Sequence, residues 1–150
     1  MTGTARIGVS LLLLFAARTS LAQGGSPRGD RCALFKTAEV QKLLGRPVED
    51  GEAGSGGTLC QWFGKDQKSW VIVSVLDSSF FVDPRNASGY QVVPGVGRRA
   101  YTHMEDQGGG DTGWIGEAQT DKATVRITVM GRTATREAAA ALLKEAVARL

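Results

Sequence analysis

The chain has 150 residues, 18 basic and 15 acidic side chains, and a formal net charge of +3. Setting aside residues 1–22, for reasons given next, removes Arg6 and Arg18 and leaves 128 residues with 16 basic against 15 acidic side chains. A near-neutral domain of one domain's length argues against nucleic acid as the partner, because that affinity rests on clustered phosphate-neutralising charge. One histidine and two cysteines are too few for most protein-only zinc sites.

In chain order, Arg6 supplies a short positive region. Residues 7–17 form an apolar stretch centred on Leu11, Leu12, Leu13, Leu14 and Phe15. Ser20 and Ala22 then place small residues where a signal peptidase needs them. The pattern predicts a secretory signal peptide cleaved after Ala22, giving an exported protein, periplasmic or secreted. The stretch is shorter than the roughly 20 residues of a membrane span, and no later segment reaches that length. Position 23 is Gln, so the acylated cysteine of a lipoprotein is missing. Residues 23–31 are rich in Gly, Ser, Pro and charge and predict a disordered lead-in to a single domain over 32–150.

Export makes a Cys32–Cys60 disulfide the expected state of the two cysteines, against the alternative of two buried thiols. Thr37 is the expected cap of a first helix carrying Val40, Leu43 and Leu44 on one face, ended by Gly45 and Pro47. Residues 51–57 are Gly-rich and predict a flexible loop. Residues 59–63 predict a strand with Cys60 and Trp62 on one face, and residues 64–68 a polar turn. Residues 70–76, apolar on both faces, predict a central strand. Residues 80–90 are ambiguous, since Pro84, Asn86 and Gly89 interrupt regular structure.

A turn over 92–97 leads into a strand over 99–104, followed by an acidic, Gly-rich hairpin loop over 105–111. A second hairpin pairs 113–118 with 124–130 around Asp121 and Lys122. In its last strand Val125, Ile127 and Val129 alternate with Thr124, Arg126 and Thr128, which predicts an inward and an outward face. Thr135 caps a last helix whose stripe is Ala138, Leu142, Leu143, Ala146, Val147 and Leu150. The expected fold is therefore α+β: two layers, an antiparallel sheet of about five strands, and the N- and C-terminal helices packed on one face.

Three short motifs carry a family resemblance. They are Cys32 to Val40 with Leu43-Leu44-Gly45-Arg46-Pro47-Val48, then Cys60-Gln61-Trp62, then Val93-Pro94-Gly95-Val96-Gly97-Arg98-Arg99-Ala100-Tyr101. With the Ala/Leu-rich terminal helix they resemble the exported bacterial domain of unknown function 3558, common among lipoproteins. The resemblance spans about residues 32–150. It departs from the family in lacking the lipoprotein cysteine and in a short segment between Leu76 and Val93. It implies an exported α+β domain and transfers no catalytic residue.

Chemistry is sparse in the residues themselves. His103, Glu105 and Asp111 can be drawn as a relay or metal cluster, but at a strand end and in a loop they read as a solvated hairpin. Ser74, Ser78 and Ser79 lie outside any nucleophile elbow. Gly95-Val96-Gly97-Arg98-Arg99 could bind an anion but precedes no helix, so a tight turn is the plainer reading. The candidate ligand or partner surface is Trp70, Arg98, Arg99, Tyr101 and Trp114, with space over Trp114 provided by Gly113 and Gly116. The run Ala138 to Ala141 leaves a homodimer open. No catalytic residue, metal or cofactor is expected. The function expected is non-catalytic binding of a small apolar ligand, an envelope component or a protein, through one sheet face or the loop holding Gly108 to Gly110. The alternatives are a secreted hydrolase inhibitor, by analogy of architecture with beta-lactamase inhibitory proteins, and an enzyme.

Overall fold

A computed structural model describes residues 30–106, 112–132 and 134–150. The expected signal peptide over residues 1–22, most of the expected lead-in and the Gly108 to Gly110 loop lie outside the described residues. The chain opens with a 3-10 turn at Arg31–Leu34, whose Cys32 amide is held by Asp30 (N–H to Oδ1, 2.9 Å). Helix α1 is Thr37–Leu44. Thr37 is not its cap: it is the first helical residue, and its hydroxyl donates to Asp50. The N-cap is Lys36, whose N–H donates to Glu39 Oε2 at 2.8 Å. Gly45 ends the helix at φ +67°, a left-handed conformation natural to glycine.

The strands are β1 (Glu52–Gly54), β2 (Leu59–Phe63), β3 (Trp70–Leu76), β4 (Gln91–Val92), β5 (Arg99–Asp106), β6 (Thr112–Gln119) and β7 (Thr124–Met130), followed by helix α2 (Arg136–Ala148). They form one antiparallel sheet in the order β1-β2-β3-β7-β6-β5-β4. The sheet therefore has seven strands rather than five. Both additions are short edges: β1 lies inside the expected loop at 51–57, and β4 ends on Val92, the first residue of the expected 92–97 turn. Neither has apolar alternation to announce it. Each exists because a neighbouring strand offers an unpaired backbone edge. β5 also runs two residues beyond the expected 104.

Register assigns the faces, since alternate residues point to opposite sides. Val71, Val73 and Val75 of β3 oppose Val129, Ile127 and Val125 of β7, and Ala118 and Ala100 continue that row. These residues form the core with Cys60, Trp62, Val40, Leu142, Leu143 and Ala146. α2 packs on β5, β6 and β7, while α1 packs against α2 and the opening 3-10 turn packs on β2. Gly116 permits that approach: a Cβ there would meet Ala139 O at 3.2 Å and Leu143 at 3.5 Å. Thr135 caps α2 as expected, accepting from Ala138 N–H at 3.1 Å. Leu150 lies beyond the helix end and is about half exposed.

Cys32 and Cys60 form a disulfide across 28 residues, with Cα atoms 5.0 Å apart. It ties the 3-10 turn to β2 beside Trp62, whose ring meets Phe35 edge-on at 6.3 Å. Closing a loop of that length stabilises by roughly 3–4 kcal/mol in the chain-entropy account. Gly51 crosses directly over this cluster, where a Cβ would fall within 2.8 Å of the Cys60 sulfur and the Trp62 ring. Among the described residues, no helix is long and apolar enough to cross a membrane.

Candidate functional site

Two regions bring together side chains with chemical capacity. The first lies on the sheet face opposite α2. Residues 77–90, the segment the sequence left ambiguous, form a strap over β5, β6 and β7. A 3-10 turn at Ser78–Phe80 begins it, capped by Asp77. Ser78 O accepts from Gln119 Nε2 at 3.1 Å and from Thr124 Oγ1 at 3.3 Å. The peptide groups on either side of Val82 are then gripped by two side chains. Its N–H donates to Glu117 Oε1 at 3.1 Å, and its carbonyl accepts from Tyr101 Oη at 2.5 Å.

Glu117 is fully buried, and Arg126 donates to its Oε2 through Nε at 2.5 Å. The pair faces across β6 and β7. Burying a carboxylate is costly unless it is paired and hydrogen-bonded, and here both conditions are met. Tyr101 stacks on Tyr90 (5.5 Å), meets Phe81 edge-on (5.6 Å) and approaches His103 (5.7 Å). Burial first, and the Glu117 carboxylate second, push its phenol well above the ordinary tyrosine range. His103 lies diagonally across the register from Glu117 with Tyr101 between them, and Glu117 is occupied by Arg126 and Val82.

The second region is an open cavity of about 830 Å3 at the end of the sheet where the 3-10 turn, the β6–β7 turn and the end of α2 converge. Leu34, Val75, Ala123, Val147 and Leu150 supply its apolar wall, and Arg31, Arg98, Lys122 and Arg149 its basic lining. The β6–β7 turn is tightly held: Thr120 Oγ1 accepts from Ala123 N–H at 3.0 Å and Lys122 N–H at 3.2 Å. Arg149 is anchored on the far side. It donates to Leu34 O at 2.5 Å and to both Glu39 oxygens at 2.9 and 3.0 Å, with its guanidinium 4.8 Å from the Phe35 ring centre. This contact with Arg149, aided by the Lys36 amide, holds the Glu39 carboxyl down at about 2.

Of the five surface residues singled out from sequence, Arg98, Arg99 and Tyr101 line one small pocket of about 240 Å3, while Trp70 and Trp114 lie apart from it. Trp70 sits on the strap face of the sheet, opposite Phe63 and Met130 in register. Trp114 sits on the helix face, packed against the core. The space expected over it is filled. A Cβ at Gly113 would run into Met130 on the other face, α2 covers Gly116, and a Cβ added at Gly89 would lie 3.0 Å from the indole edge. Tyr101 is buried under the strap. Arg99 is exposed, 4.7 Å over the Phe81 ring and bonded to Gln119. Only Arg98 reaches the large cavity, where it pairs with Asp121.

The Gly95 to Arg99 stretch is a turn entering β5. The Arg98 amide donates to Gln119 O at 2.7 Å, and Gly97 at φ +57° leaves no room for a Cβ beside that carbonyl. Of the drawn relay, His103 and Glu105 lie along β5 and Asp111 lies outside the described residues. Among the described residues no three His, Cys, Asp or Glu side chains converge on a metal-sized space. Sequence reasoning passed over Glu117 as a buried group and assigned Arg126 outward. The signal available was their shared alternation with Tyr101 on one face. The cavity had no such signal, because its walls come from five distant segments. No protein-family model, no curated protein and no solved structure matches the chain.

Proposed function

We propose that this is an exported, non-catalytic binding domain, a two-layer α+β scaffold that takes a small ligand with an apolar body into the cavity at the end of α2. The observation that carries the reading is the cavity itself. Its volume of about 830 Å3 lies within the roughly 300–1,000 Å3 typical of small-molecule sites, and its wall is apolar with a few charged groups at the edge. Leu150 and Val147 are exposed or half-exposed apolar residues that such a ligand would cover. The Cys32–Cys60 bridge supports export, since disulfides persist in oxidising compartments. The resemblance to the domain of unknown function 3558 family points the same way.

The buried carboxylate invites comparison with an enzyme, but both oxygens of Glu117 are engaged in holding the strap and the ion pair. A general base needs an open line to its proton. A second reading, recognition of a protein such as a hydrolase, is favoured by Phe80 and Val82, which the strap leaves about 60 % exposed. Native mass spectrometry of protein taken from its own envelope or culture fraction tests the first reading. A retained small ligand, lost in an Ala33→Trp variant that narrows the cavity, is the expected result. A stoichiometric protein partner, lost in Phe80→Ser but not in Ala33→Trp, would replace the first reading with the second.

A further inference from the structure

Resting on that reading of the cavity, we infer its ligand class: a free single-chain amphiphile with an anionic head group, its chain against Leu34, Val75 and Val147 and its head beside Lys122. The argument is charge complementarity. The lining holds four cationic side chains, Arg31, Arg98, Lys122 and Arg149, and two acidic ones, Asp30 and Asp121. Both acidic groups are already committed. Asp30 Oδ1 accepts the Cys32 amide at 2.9 Å, and Asp121 is paired with Arg98. Arg149 is committed as well, to Glu39, Glu145 and the Leu34 carbonyl.

Lys122 differs. It is exposed, and among the described residues its ammonium makes no ion pair. It stands on a turn whose backbone Thr120 pins by three hydrogen bonds. The backbone that carries the charge is therefore fixed before any ligand arrives, which lowers part of the ordering cost of binding. Val75 and Ala123 lie on the same lining, so a molecule reaching Lys122 also meets apolar wall. An anionic head with a single apolar tail satisfies both parts. A cationic head meets the Lys122 ammonium as a like charge, and a neutral one leaves that ammonium unused.

The test compares three twelve-carbon probes below their micelle concentrations on the oxidised protein: laurate, dodecanol and dodecyltrimethylammonium. Titration calorimetry at low salt is expected to rank laurate about five- to tenfold above dodecanol, with the cation weakest, and the gap should narrow in high salt. Lys122→Glu should erase or invert the ranking of laurate over dodecanol. Ala33→Trp should weaken all three. Equal binding of laurate, dodecanol and the cation would overturn the anionic head and leave the proposed cavity function standing. Binding of no probe would remove the proposed function and this inference together. Laurate binding untouched by both Lys122→Glu and Ala33→Trp would place the ligand elsewhere and refute it. So would sedimentation with phosphatidylglycerol vesicles unaffected by Ala33→Trp together with no binding of monomeric laurate, since that would identify a membrane surface instead.

Discussion

Arg126→Met is the substitution that most directly probes how the strap is held. It removes the only cation bonded to Glu117 among the described residues and leaves a fully buried carboxylate with the Val82 amide and the Tyr101 phenol beside it. Breaking a buried ion pair from one side costs roughly 3–5 kcal/mol, because the remaining charge stays desolvated. Arg126 keeps 38 % of its side-chain surface, so water reaches part of the pair and the lower end, about 3 kcal/mol, applies. For a domain of this size that is a fall in Tm of about 10 °C.

Glu117→Gln should cost less, about 1–2 kcal/mol, since the amide oxygen still accepts from Val82 and no charge is stranded. In the Glu117→Gln background, Arg126→Met should then cost under about 1 kcal/mol, giving a coupling near 2 kcal/mol. Urea denaturation of the four proteins measures the cycle. Arg126→Met within about 1 kcal/mol of the parent, or equally costly in both backgrounds, would show that the pair is not what secures Glu117.

Reduction of Cys32–Cys60 should lower stability by roughly 3–4 kcal/mol and raise hydrogen exchange first in residues 32–57, while α2 and the β6–β7 hairpin stay protected; uniform loss of protection would refute the local role. Gly51→Ala should destabilise by about 1–3 kcal/mol in a thermal melt, because the added methyl falls against the disulfide and Trp62. Glu39 titrates at about 2 against an ordinary 4.5. A lowered pKa contributes stability that is present above the unfolded value and is lost as pH falls through the folded one. Tm should therefore fall between about pH 4.5 and pH 2, with a shallower fall in Glu39→Gln; identical profiles would refute it. Tyr101 has a raised pKa, so its phenol should resist ionisation in an absorbance titration until the fold opens, and Phe81→Ala should make it titrate earlier.

The residues alone specified much of the scaffold. The alternation in β2, β3 and β7, the Gly45-Arg46-Pro47 stop and the Thr135 cap are local signals, readable wherever period and capping chemistry coincide. The cysteine pairing followed from there being only two. The edge strands β1 and β4 were not legible, since a pairing partner, and not their own side chains, makes them strands. Thr37 is not the cap because the helix begins one residue earlier than expected: extended Lys36 takes the cap position, its amide held by Glu39. Trp70 and Trp114 read alike in sequence, yet register sends one to each face. Glu117 reads as one more polar residue in an alternating strand; only the strap folded over it makes it buried. The cavity depends on Asp30 to Leu34, Val75, the Arg98 turn, Thr120 to Ala123 and the end of α2 meeting at one place. No local pattern encodes that meeting, because it is set by how the sheet ends and by where α2 stops upon it.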